Sequence, residues 1–261
     1  MQTAYGAALV CVPLEPLAPH FFTTREWKLG AAASSDDDAA WDEVAAAIGI
    51  DRAHLVRVHQ VHGATVVTRR AGSPSPQRPA SRRPDADIIV SDDATLALAI
   101  QTADCVSLLF ADPRSGAIAA AHAGWRGLAA GVPGVAVDAL RREFGSDPAE
   151  VLVAAGPSIS ASRYEVGMDV RDRFAAGGFR DQDRARWFRP AGRPDHWYFD
   201  GWQATRDQLV EAGVRPDHLH MADMCTASWP GAFCSYRRDG SPAGRLAAVI
   251  RSGGTGFKPR S

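Results

Sequence analysis

The sequence predicts a single α+β domain, and three observations carry that prediction. Short apolar runs with strand character recur: DADIIVSDD (85–93), TLALAIQTA (95–103), CVSLLFAD (105–112) and AIAAAHAG (117–124). Amphipathic stretches at helical spacing stand between and beyond them. The two kinds of element do not alternate strictly, so a doubly wound parallel sheet is not expected. The 261 residues are 46% hydrophobic, enough to bury a substantial core.

In chain order, DDDAAWDEVAAAIG (36–49) opens on acids, spaces its apolar residues helically and closes on Gly, which reads as a capped helix. HLVRVHQVHGATVVTRR (54–70) alternates and is β-branched, predicting a strand bent at Gly63. RRAGSPSPQRPASRRP (69–84), with five Arg and four Pro, reads as a mobile surface loop. No aromatic is interleaved there to stack on a nucleic-acid base. The four short strands follow, with DPRSG (112–116) as the hairpin turn between the last two. AAGVPGVAVDALRREFG (129–145) is expected as a helix with Pro133 near its first turn. VLVAAGPSI (151–159) reads as a buried strand, DGWQATRDQLVEAG (200–213) as a helix and RLAAVI (245–250) as a closing strand. No fixed-period repeat and no linker composition divides the chain.

The formal net charge is −1, so no overall field draws the protein to nucleic acid or anionic lipid. No apolar run reaches the roughly 18 residues of a membrane span. The N-terminal stretch has no Lys or Arg before Arg25, unlike a secretory signal, and ALVC (8–11) only loosely matches a lipoprotein site. The four cysteines, Cys11, Cys105, Cys225 and Cys234, make no CxxC pair. Free thiols in a cytoplasmic protein are expected.

Three segments bring metal-type ligands together with small neighbours: HQVHG (59–63), ADC (103–105) and HAGWRG (122–127). In an extended strand, positions i and i+3 face opposite ways, so at most one of His59 and His62 can serve a shared site. Small residues beside Cys105 and His122 (Ala103, Ala123, Gly124) leave room for a ligand near the backbone. Two His and one Cys make a three-donor set with an open fourth position, as in catalytic zinc. Thiolate and imidazole also suit copper. Such a metal would hold Cys105 as a thiolate and acidify a bound water toward neutrality. Against this stands the reading of Cys105 as a small buried hydrophobe and of the His as satisfied core residues.

HQVHG, TADCVSLLFADP, AAAHAGWRG, GPSI…YEVG and CT…FCSYRRDG…GRLAAVI occur in one order. Together, over roughly residues 20–250, they resemble the laccase-domain family, whose members are called multicopper polyphenol oxidoreductases, purine nucleoside phosphorylases or peptidoglycan editing factors. The resemblance implies a mixed α+β sandwich with packed β-sheets and outer helices. It also implies a metal site, usually zinc, at His62, Cys105 and His122. Arg25 falls where the family has an arginine near its active site. EWKLGAAASS (26–35) replaces the family's Gly-rich segment, and Ser162 and Arg163 stand where a Cys often precedes YEVG. Cys234, in place of an aromatic residue, reads as packing.

The resemblance further implies a purine nucleoside enzyme, with nucleoside and phosphate as its small-molecule partners. Its reactions would be phosphorolysis of adenosine, inosine, guanosine and methylthioadenosine, and deamination of adenosine. Arg126, beside His122, is the candidate for binding phosphate, with a structural ion pair as its plain alternative. The chain lacks the H-x-E…P-C-x-x-C signature of cytidine-type deaminases. A copper-dependent polyphenol oxidase is a second reading, but eight His, with one HxH at 218–220, are too few for a four-copper site. A cysteine-type hydrolase editing peptidoglycan precursors, with Cys105 as nucleophile and His122 as base, is a third. A structural zinc is a fourth, and these motifs offer no fourth protein ligand for it.

Overall fold

Ala97–Thr102 and Ile88–Ser91 are buried along nearly their whole lengths, and the reason lies in how the sheets stack. The computed structural model describes residues 1–30, 38–73 and 83–253. One six-stranded sheet runs Gln2–Thr3, Gly6–Leu9, His20–Thr23, Leu246–Arg251, Ala97–Thr102, Leu55–Val56. A second runs Leu219–Met221, Leu152–Ala155, Val106–Ala111, Ile118–Ala123, Ile88–Ser91, Val66–Arg69.

Alternate residues of each central strand enter different cores, as the period of two requires. Leu98 and Ile100 meet Ile89, Leu109 and Ala120 between the two sheets. Ala97 and Ala99 turn outward onto Trp41, Val44 and Ile48 of the helix Asp38–Ile48. Ile88, Val90, Leu108 and Phe110 turn the other way, onto Ala136, Val137 and Leu140 of the helix Val132–Phe144 and Leu209 of the helix Gly201–Glu211. The order is helix, sheet, sheet, helices, so strands covered on both faces read as continuous apolar runs. The fold is a mixed α+β sandwich with helices outside, as expected.

The four short strands of 85–124 form as expected. The DPRSG turn closes its hairpin with Asp112 accepting from the Arg114 N–H (2.8 Å) and Ser115 Oγ (2.6 Å). Gly49 at φ 79° follows the first helix, and Asp200 caps the helix Gly201–Glu211 by accepting from the Gln203 N–H at 3.0 Å.

Two expectations need correction. Residues 54–70 are not one bent strand: Leu55–Val56 joins the first sheet and Val66–Arg69 the second. The connection crosses between sheets, and the N–H groups of Val61, His62 and Gly63 donate to the Asp87 carboxylate instead of to a ladder. The expected helix over 129–145 begins at Val132, because Gly131 at φ 75° separates it from a short helix, Trp125–Ala129. Pro133 sits in the first turn as anticipated.

Residues 160–200, left unassigned by periodicity, hold the helices Met168–Ala176 and Asp181–Trp187 and a three-stranded sheet, Glu165–Gly167, His196–Phe199, Phe188–Pro190. Most of the loop expected over 69–84, residues 74–82, lies outside the described residues. Its first part is tied down: Arg70 pairs with Glu143 at 2.7 Å, and the Ala71 N–H donates to Asp92 at 2.7 Å. No helix among the described residues is long and apolar enough to cross a membrane.

Candidate functional site

The seventeen-residue separation of Cys105 and His122 is a consequence of hairpin register. Val106 pairs with Ala123 and Ser107 with His122, so Cys105, one step back, faces Gly124. The glycine is required there. A Cβ on Gly124 would lie 2.8 Å from Cys105 Sγ and 3.1 Å from His62 Cδ2.

His62 reaches this hairpin end from the crossing loop, with a left-handed backbone at φ 61°. One donor atom from each of His62, Cys105 and His122 lies within 4.8 Å of the others. The His62 and His122 rings stand 4.8 Å apart, edge to face at 76°. His122 is buried, Cys105 half-buried and His62 exposed. His59 goes elsewhere: it is paired with Asp85 at 2.8 Å on the surface side of the same loop. The parity argument assumed a strand. The segment is a loop, with His62 in the left-handed region.

Asp87 organises the group. It is fully buried, and its two oxygens accept from the N–H groups of Val61 (3.2 Å), His62 (3.0 Å) and Gly63 (2.7 Å) and from His122 Nδ1 (2.8 Å). One carboxylate thus shapes the loop that presents His62 and fixes the His122 ring, leaving His122 Nε2 for the cluster. Burial alone would raise the Asp87 pKa, but His122 and the loop N–H groups more than offset it and hold it low.

Cys105 and His122 perturb each other. Burial would push the thiol up, yet the charge and hydrogen bond of His122, helped by His62, bring it down to about 6. Burial opposes the charged imidazole too, but the Cys105 thiolate and the Asp87 carboxylate raise His122 to about 9. Each group thus favours the charged form of the other, thiolate beside imidazolium.

Asp104 places Cys105 from the other side. Its backbone takes φ 93°, its carbonyl accepts from the Ile159 N–H at 2.9 Å, and its carboxylate accepts from Thr226 Oγ1 (2.5 Å) and the Arg237 N–H (2.6 Å). A non-glycine residue at that φ is strained and persists because those three bonds hold it. Gln60 exchanges two hydrogen bonds with the Gln101 backbone (2.8 and 2.7 Å), stitching the His62 loop to the first sheet.

The cluster opens into a cavity of about 580 Å³ lined by His59, His62, Asp104, Cys105, His122, Trp125 and Tyr164, with Arg83, Arg126, Arg237 and Arg245 among its other walls. Arg126 lies over the Trp125 ring at 4.2 Å and makes no ion pair among the described residues. Arg25 is not part of this lining; its N–H and guanidinium go to the carbonyls of Ala232 and Pro230. Cys234 is buried against Phe233 and Leu246, as packing.

The donor set suits a borderline-soft metal ion. One imidazole is pre-oriented by a buried carboxylate, and the thiol is ready to ionise. His62, Cys105 and His122 could therefore hold a metal, the one such group of three among the described residues. Sequence reasoning missed Asp87, Asp104 and the arginines of the 237–245 segment. The signal for the first was present: an acid at the head of the apolar run IIV has no place in a core unless something donates to it.

The family described as Multi-copper polyphenol oxidoreductase laccase matches residues 31–252. A protein of Streptomyces coelicolor named purine nucleoside phosphorylase is 39% identical over 229 residues, covering 87% of this chain and 88% of its own. A Deinococcus radiodurans protein of the same name is 35% identical over 271 residues, covering 98% of each. Among solved structures, YlmD from Geobacillus stearothermophilus superposes with a TM-score of 0.85 at 28% identity, covering 97% of this chain and 98% of that one. Matched along most of its length by family and relatives alike, the chain belongs to the multi-copper polyphenol oxidoreductase laccase family.

Proposed function

We propose that the protein is a zinc-dependent purine nucleoside enzyme, cleaving the glycosidic bond of adenosine, inosine, guanosine and methylthioadenosine with phosphate and deaminating adenosine. The observation that carries this reading is the His62–Cys105–His122 group in the lining of an arginine-bearing cavity, in a chain whose relatives are named purine nucleoside phosphorylases.

When bound, the metal supplies Lewis acidity and lowers the pKa of a water toward neutrality. The chain's residues do the rest. Asp87 holds the His122 ring in one orientation, and Gly124 keeps the space beside Cys105 Sγ clear. Arg126, stacked on Trp125, offers its guanidinium fork to phosphate.

One observation favours a second reading. Cys105, His122 and Asp87 are ordered as nucleophile, base and orienting acid, with Cys105 brought to about 6, which is the arrangement of a cysteine hydrolase. Such an enzyme would act on peptidoglycan precursors. A copper oxidase receives no comparable support, because no second donor cluster exists among the described residues.

The deciding experiment is a nucleoside panel, followed by product chromatography with and without phosphate, on metal-loaded and metal-depleted protein. The proposal expects phosphate-dependent base release and ammonia from adenosine in the loaded protein, lost on depletion. Cys105→Ser should lower metal content and turnover together. Full nucleoside turnover by depleted protein defeats the metal-dependent mechanism, and alkylation-sensitive turnover that survives chelation favours the hydrolase.

A further inference from the structure

Arg126, Arg237 and Arg245 line the cavity together with one carboxylate, that of Asp104. That carboxylate is already engaged by Thr226 and the Arg237 N–H. The chain as a whole has a formal net charge of −1, so the positive excess is local to the cleft.

How two of these arginines are held matters more than their number. Arg237 Nη1 donates to the Glu165 carbonyl at 2.6 Å, and its guanidinium lies over Tyr164 at 4.8 Å. Arg245 Nη1 donates to the carbonyls of Ala243 (3.0 Å) and Gly244 (3.1 Å). Among the described residues neither makes an ion pair with a carboxylate. Carbonyls and a ring face aim a guanidinium without neutralising it, and Nε and the second Nη keep their donors for a ligand. Arginines fixed in this way are receptors organised in advance for an anion.

Phosphorolysis needs one inorganic phosphate, and Arg126, four residues after His122, accounts for it. Arg237 and Arg245 come from a separate stretch of chain, the helix Tyr236–Asp239 and the turn before Leu246–Arg251. We propose that they form a second anion subsite for a phosphate carried by the substrate itself, so that the cleft prefers a purine nucleoside 5′-monophosphate to the free nucleoside. This rests on the purine nucleoside reading and narrows it, because methylthioadenosine, with a methylthio group at C5′, would leave the subsite unfilled. With the base and C1′ at the metal-binding group, C5′ is the far end of the nucleoside. About 580 Å³ falls within the size range of pockets for ligands of this class.

The test is calorimetric titration of zinc-loaded protein with AMP and with adenosine, beside turnover of both. AMP should bind about tenfold more tightly than adenosine or better. Arg237→Gln and Arg245→Gln should each bring the ratio of the two affinities toward unity, thermal melts confirming that the variants fold. In the unaltered protein, raising salt from about 0.05 to 0.5 M should weaken AMP much more than adenosine. Adenosine turned over but AMP bound no more tightly overturns this inference and leaves the purine reading standing. Neither compound bound overturns both. A preference for AMP that survives in both folded variants overturns the placement of the subsite.

Discussion

His122 and Asp87 are joined twice. The His122 ring Nδ1 lies 2.8 Å from Asp87 Oδ1, and the His122 backbone N–H donates to the Asp87 carbonyl, also at 2.8 Å. The ring cannot swing without breaking a bond at a residue to which its own backbone is fastened. Asp87→Asn puts an amide where the loop N–H groups need an acceptor. It should cost about 3–5 kcal/mol of stability, as when one partner of a buried ionic network is removed. Zinc affinity should fall about 10–100-fold in competition with a chelating dye. Unchanged zinc affinity in a folded variant would show that the carboxylate does not orient the ligand.

The Cys105–His122 pair predicts an unusual alkylation profile. In metal-depleted protein, iodoacetamide should modify Cys105 with a rate that rises through about pH 6, where an ordinary thiol would wait for about 8.5. The rate should change again near pH 9, where His122 loses its proton. Added zinc should protect. A half-point at the ordinary thiol value, read by mass spectrometry, would refute the ion pair.

Gly124→Ala tests the space beside the sulfur. Its Cβ would stand 2.8 Å from Cys105 Sγ, so the sulfur must move. Overpacking of this kind costs about 1–3 kcal/mol. Zinc content should drop while the circular dichroism spectrum is retained. Full zinc occupancy in the variant would mean that the hairpin end yields more easily than its register suggests.

His20 predicts a stability slope in acid. It is buried, its Nδ1 faces the Ala18 carbonyl at 2.8 Å, and its Nε2 accepts from the Cys11 N–H at 2.9 Å, a role open only to the neutral ring. Burial holds its pKa below the ordinary 6.5. The unfolded chain therefore binds the extra proton first. The stability from neutral His20 is complete above about pH 6.5 and declines as pH falls below it. His20→Leu should be less stable than the native protein at pH 7, the gap narrowing toward pH 5. A pH-independent gap in urea midpoints would count against this.

The central strands were legible because both of their faces are buried, which leaves an unbroken apolar signature. The hairpin 106–123 was legible because its turn residues carry their own chemistry. HQVHG misled because alternating polar and apolar residues also suit a loop that wraps a buried carboxylate, and that carboxylate, Asp87, is remote in sequence. Arg237 and Arg245 were hidden for a similar reason: their direction is set by the carbonyls of Glu165, Ala243 and Gly244, which no side-chain pattern records.

The strand Leu246–Arg251 lies between His20–Thr23 and Ala97–Thr102, hydrogen-bonded to both. During synthesis the first sheet thus lacks an inner member until residue 251 has left the ribosome, and both neighbours wait with open edges. Pairings so distant in sequence make for slow folding and a period of exposure to aggregation. A chain cut before Leu246 would lose the junction of its first sheet as well as a strand. Ribosome-stalled fragments of graded length should stay protease-sensitive throughout until this segment emerges.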